Sequence, residues 1–331
     1  MVAAIIGNAA IAIIKFIAGA MTGSSAMISE GIHSLVDTGN GGLLFYGLNR
    51  GARPADRNHP FGHGGEVYFW SLIVAVSIFG IGGGMSIYEG ITHMQHPAAL
   101  ENPTINYVVL GLAVFFESIS FTVAWRTFKH AKGTRGVFSA IRQGKDPSLF
   151  TVLFEDTAAL LGLVVAFFGV FLSHQLDMPV LDGAASVGIG TILVVAALWL
   201  AYESKSLLVG EAADPEVVAA IREIALSDPD VQGLGVVLTM HLGPEEVLLN
   251  IEVRFTPGIT AEAIHAAVLR IEERITGRYP QVTRIFIEVQ ALRAGQDPAV
   301  GTGGPGPGAG AASGPVAPSS AAGTAADARG A

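Results

Sequence analysis

Six stretches of about 20 largely apolar residues recur along this chain, at roughly 2–21, 27–49, 67–91, 104–125, 148–173 and 182–203. Each is long enough to cross a bilayer core of about 30 Å as a helix, and a soluble globular fold has no use for so many. Composition agrees: of 331 residues 50% are hydrophobic and 14% charged, and the mean hydropathy is +0.51. The first stretch reads as a span rather than a cleaved leader, because it lacks a basic start and Asn8 and Lys15 interrupt it.

Charge between the stretches sets an expected orientation. Arg50, Arg53 and Arg57 follow the second; Arg126, Lys129, Lys132, Arg135, Arg142 and Lys145 follow the fourth. Segments 22–26, 92–103 and 174–181 hold no Lys or Arg. The positive-inside rule then places both termini and both basic linkers in the cytoplasm, or on the topologically equivalent side of an organelle. The expected setting is an integral protein of a bacterial inner (cell) membrane.

Several ionisable side chains break the apolar pattern. Glu30, His33 and Asp37 stand at i, i+3 and i+7, one face of a helix. Each costs about 2.5–3.5 kcal/mol in a span on the most lenient scale, so three together point to a ligand or an ion path. His and Asp four residues apart can grip one divalent cation from a single helix, the plainer alternative being a hydrogen-bonded pair that joins helices. In the fifth stretch Asp156 reads as a ligand or a helix–helix contact, with Glu155 about 100° round the helix and expected to point elsewhere. Glu30, Glu89 and Glu117 leave a proton path, helix pairing and an ion pair with Lys15 equally open. Gly80, Gly82, Gly83 and Gly84 read as close helix packing, since no strand precedes them as in a phosphate loop. His93, His96, His130, His174 and His241 lack spaced partners and are expected at the interface or in solvent.

After Lys205 a soluble domain begins. Asp214-Pro215-Glu216 opens a helix as cap, first-turn proline and acid, with periodicity through Ala225. Val231–Leu242 and Val247–Phe255 alternate like strands around Gly243-Pro244, an amphipathic helix follows over about 260–278, and Arg284–Val289 alternates again. This α-β-β-α-β order predicts a small α+β sandwich that dimerisation would help to bury. Over 209–292 there are 13 Asp and Glu against 6 Arg and no Lys, most of the net charge of −9, so nucleic acid is an unsuitable partner. Without cysteine, metal chemistry is restricted to His nitrogen and carboxylate oxygen. Gly, Ala, Pro and Ser dominate beyond 293, where the expectation is disorder. The expected division is 1–208, 209–292 and 293–331.

The motifs together are specific. Thr22-Gly-Ser-Ser-Ala-Met-Ile-Ser-Glu-Gly-Ile-His-Ser-Leu-Val-Asp-Thr-Gly-Asn40, Arg53-Pro-Ala-Asp56, His59-Pro-Phe-Gly-His63-Gly, Asp146-Pro-Ser and Phe154-Glu155-Asp156-Thr-Ala-Ala resemble the cation diffusion facilitators over residues 1 to about 292. The last string is similar to the subgroup holding a mitochondrial zinc exporter. The resemblance implies six transmembrane helices, a cytoplasmic ferredoxin-like domain, a homodimer, and proton-coupled efflux of a divalent cation, zinc first. Carried over, the transport site is His33, Asp37 and Asp156, with Val152 where relatives place a fourth ligand and Glu155 a possible substitute. A second site matches Asp56, His59 and His63, although a His-Pro-Phe-Gly-His string is also compatible with a solvated turn. Of the family's third site only His265 matches, with Ile287 and Val289 at the other positions, so no metal cluster is expected there. A His-Asp-Asp set suits Zn²⁺, Fe²⁺, Co²⁺ or Mn²⁺. The alternatives are an exporter of manganese, iron or cobalt, or a membrane metal sensor or scaffold that Val152 has disabled for transport. An intramembrane enzyme is disfavoured, since no His-Glu-x-x-His or nucleophile elbow occurs, and no cofactor is expected beyond the transported ion.

Overall fold

A computed structural model describes residues 2–98, 100–133, 136–137 and 147–289. Arg135, Arg142, Lys145, Asp146 and the 293–331 tail lie outside the described residues.

The apolar stretches are helices. They are α1 (Val2–Thr22), α2 (Ser25–Gly51), a composite third span, α5 (Pro103–Lys132), α6 (Pro147–Leu176) and α7 (Val180–Val209). The third span comprises α3 (Gly65–Ser77), a π-helical segment (Ile78–Gly84) and α4 (Met85–Gln95). Among the described residues five spans are long and apolar enough to cross a membrane. The sixth expected span, α2, is not among them, because its 27 residues carry Glu30, His33, Asp37 and Asn40. One face of it packs inward, with Met27, Val36 and Leu44 in the core shared with Tyr68, Leu163, Ile189 and Leu193, while Leu35, Phe45 and Tyr46 face outward. Ile13, Phe115, Phe116, Phe168 and Leu198 face outward, as side chains turned to lipid should.

The third and sixth spans touch backbone to backbone. A Cβ on Gly90 would come within 2.6 Å of the Gly183 carbonyl, and one on Gly190 within 2.7 Å of the Gly83 carbonyl. Small residues allow that approach. Gly80, expected to share in it, faces open space.

The terminal domain follows the expected order: α8 (Pro215–Leu226), β1 (Val231–Gly243), β2 (Glu246–Phe255), α9 (Ala261–Arg278) and β3 (Val282–Val289). The sheet runs β1-β2-β3, with β1 antiparallel and β3 parallel to β2. Along β2, Val247, Leu249, Ile251, Val253 and Phe255 are buried against Ile221 and Ala225 of α8 and Ala267, Ile271 and Ile275 of α9. The other face leaves Val236, Leu238, Met240 and Phe286 uncovered. Asp228, after α8, accepts from Arg270 Nε at 2.9 Å and from Arg274 at 2.6 Å, clamping α9 across the sheet edge. The Arg270 bonds, reinforced by Arg274, hold its carboxyl below the usual range.

Candidate metal centres

α2 starts where α7 holds it. Asp182, fully buried, accepts from Ser24 Oγ at 2.8 Å, Ser25 Oγ at 2.9 Å and the backbone N–H of Ser25 and Ala26 at 2.5 and 3.2 Å. A carboxylate thus meets the positive end of the α2 dipole, and the orphan N–H groups there are satisfied. His93 Nε2 of α4 lies 3.9 Å from the same carboxylate without a hydrogen bond to it. His241 is buried rather than solvated, its Nδ1 3.3 Å from the Gly243 carbonyl. No local signal announces the burial of His241, because its contact is to the backbone.

Down one face of α2 run Glu30, His33, Asp37 and Asn40. Glu30 is paired: Lys15 Nζ of α1 donates to its Oε2 at 3.0 Å and to Ser34 Oγ at 2.8 Å. Its other oxygen abuts α6, 2.5 Å from where a Cβ on Gly162 would stand. His33 Nδ1 and Asp37 Oδ1 approach to 3.4 Å without forming a hydrogen bond. Both His33 nitrogens and that Asp37 oxygen are buried and unpartnered. Such groups cost about 1–3 kcal/mol each when nothing satisfies them. A divalent cation does so with the donors present: one imidazole and carboxylates.

α6 presents its carboxylates in two directions. Glu155 Oε1 accepts from Asn40 Nδ2 at 2.7 Å, which brings it to the α2 face. Asp156 Oδ2 accepts from Ser120 Oγ of α5 at 3.0 Å. The residue turned toward α2 is therefore Glu155, where the helical-wheel argument expected it to point elsewhere. Thr151, one turn before Glu155, is buried with an unpartnered hydroxyl, whereas Val152 is 38% exposed. Asn40, Ser120, Thr151 and Asp182 escape the sequence reading because uncharged side chains in a span, and a single acid at its end, are common without function.

The second cluster sits in the loop between α2 and α3. Arg50, ending α2, donates to Glu66 of α3 at 3.0 Å and closes the base of that loop. Asp56, His59 and His63 each offer a ligand atom, all within 4.8 Å of one another. Asp56 Oδ1 accepts from the backbone N–H of His59 at 2.7 Å and of Asn58 at 2.8 Å. Its Oδ2 lies 3.2 Å from His63 Nε2, and the two imidazoles are 4.2 Å apart. The His59 N–H foremost, then that of Asn58 and the two histidine side chains, pull the Asp56 carboxyl down to about 2. It is therefore an anion throughout the physiological range. His63 Nδ1 is buried and unpartnered. In the terminal domain His265 stands exposed on α9, and Ile287 and Val289 occupy β3. Among the described residues the loop trio is the set of three His and acidic groups gathered tightly enough for one ion.

A family model described as "Cation efflux transmembrane domain" matches residues 1–209, and one described as "Cation efflux protein, cytoplasmic domain" matches 213–291. The chain is 35% identical over 243 residues to the mitochondrial proton-coupled zinc antiporter SLC30A9 of Mus musculus, covering 73% of this chain and 43% of that protein. It is 30% identical over 234 residues to metal tolerance protein C4 of Arabidopsis thaliana, covering 70% and 51%. Against the cation-efflux pump FieF of Escherichia coli the figures are 26% over 269 residues, 81% and 84%. The chain thus spans about half the length of the first two relatives.

Proposed function

The chain belongs to the cation efflux family, and from that premise we propose that it exports a divalent cation, zinc foremost, in exchange for protons. The observation that carries this reading is the pair His33 and Asp37, whose donor atoms are buried in the membrane domain without partners. With the α6 carboxylates Glu155 and Asp156 they offer one nitrogen and several oxygens, a set that also admits Mn²⁺, Fe²⁺ or Co²⁺. Loading needs the imidazole neutral and the carboxylates ionised, so binding releases protons and protonation releases the ion. A midplane site that faces each side in turn converts this competition into antiport.

Glu155, one turn on from Val152 and bonded to Asn40 of α2, takes the place left by that valine. A sensor disabled by that valine is thereby the weaker reading. The loop trio holds a second ion. The uncovered sheet face with Leu238, Met240 and Phe286 supports a homodimer through the terminal domain. The basic linkers support a cytoplasmic location for both termini, in a bacterial inner membrane. The test is zinc flux in proteoliposomes under an imposed pH gradient, read by an internal zinc-sensitive dye. Asp37→Ala is expected to abolish it; flux equal to the parent's refutes the site.

A further inference from the structure

The loop site has a neighbour from the other end of the chain. The β1–β2 hairpin lies against Gly64, where a Cβ would stand 2.7 Å from the Leu242 carbonyl and 2.9 Å from Gly243 Cα. The same Cβ would be 3.2 Å from Glu246 Oε2, and one on Gly62 would be 3.4 Å from that oxygen. Gly62 also has φ +93°, a conformation that favours glycine. The Glu246 carboxylate therefore rests on the two glycines that bracket His63, in a gap that side chains there would fill.

Two atoms at this contact lack partners: Glu246 Oε2 and His63 Nδ1, both buried. The other nitrogen of His63, Nε2, faces Asp56 inside the trio. A neutral imidazole that gives one nitrogen to a metal carries its proton on the other, and metal-bound histidines almost always donate that N–H to a carboxylate, carbonyl or water. An unpartnered buried carboxylate one residue away in the contact is the acceptor such a ring requires.

We propose that Glu246 is the positioning residue of the loop site: when His63 Nε2 takes a divalent cation with Asp56 and His59, His63 Nδ1–H donates to Glu246. The two groups are unbonded here and join on loading. Metal on the loop then ties the membrane domain to the β1–β2 hairpin, so occupancy of this site is felt in the terminal domain. The inference rests on the reading of the trio as a metal site. It adds a residue more than 180 positions away, in the segment that carries the acidic excess.

The test uses the full chain in detergent carrying Asp37→Ala, which silences the buried site, with Zn²⁺ titrated against a chelating dye. His63→Ala should remove the remaining tight zinc. Glu246→Gln should weaken it by about 10–100-fold, the usual cost of losing such a partner. Glu245→Gln, the same charge change at the exposed neighbour, should leave it unchanged. In parallel, zinc should slow amide exchange over 240–248 in the Asp37→Ala protein and fail to do so once Glu246→Gln is added. Undiminished affinity in Glu246→Gln, with the His63→Ala loss intact, overturns this inference alone. Zinc that binds the loop without slowing hairpin exchange overturns the coupling. If His63→Ala removes no zinc, the loop reading falls and the inference with it.

Discussion

The α2–α6 cluster and the α2–α3 loop use the same residue types and leave them in opposite states. In the membrane domain, His33 and Asp37 are buried with donor atoms that have no partner. In the loop, Asp56 accepts two backbone N–H groups and lies against His63, so its charge is stabilised before any ion arrives. A site that must load and release benefits from groups that only the ion or protons satisfy. A site fixed by its own backbone suits an ion that stays. Sequence spacing alone, four residues in both, does not distinguish the two.

The largest effect that separates them is on flux. Asp37→Ala should lower gradient-driven zinc transport by more than about 100-fold, whereas His63→Ala should cost no more than about tenfold. Equal losses would erase the distinction. Next, Glu155→Gln should weaken the buried site by about 10–100-fold, read by zinc titration in a His63→Ala background. Val152→His, at a position that is 38% exposed, should change flux by less than about threefold, or ~0.7 kcal/mol, if Glu155 already fills the site. A tenfold gain would put position 152 back in the site.

Smaller effects probe the supports. Asp182→Ala strips the buried start of α2 of its acceptor and should lower thermal stability by about 2 kcal/mol, measured by denaturation in detergent. Asp228→Asn should cost about 1 kcal/mol, since its arginine partners are partly exposed and solvent screens them. The least is a pH effect. Asp56 titrates lower in the fold than when free, so its contribution is complete above an ordinary carboxylate value of about 3.9 and is lost only as pH falls through the depressed value of about 2. Protection of the His59 amide, corrected for intrinsic exchange, should thus be the same at pH 4 as at pH 6. Asp56→Asn should remove it at both.

Much of this is legible in the sequence, for reasons that differ by element. Runs of apolar residues and period-two alternation give the spans and the sheet because burial imposes those periods. The α2 span is also read from its apolar stretch at 27–49, although its polar residues keep it from the most apolar class. The rotation of α6 is not legible. Glu155 and Asp156 do diverge by about 100°, as the helix requires, but which one meets α2 depends on packing such as Gly162 against Glu30. Pairings across the chain are equally hidden: Asp182 with Ser24 and Ser25, or Glu246 beside His63, join residues whose local patterns say nothing of each other.

The central claim is that a buried His–carboxylate set trades an ion for protons. Its most direct test is simultaneous recording of zinc entry and internal pH in proteoliposomes carrying the parent and Asp37→Ala. The parent should move protons outward as zinc enters, with neither movement in Asp37→Ala. Zinc entry without a counterflow of protons, or both flows persisting in Asp37→Ala, would contradict the account.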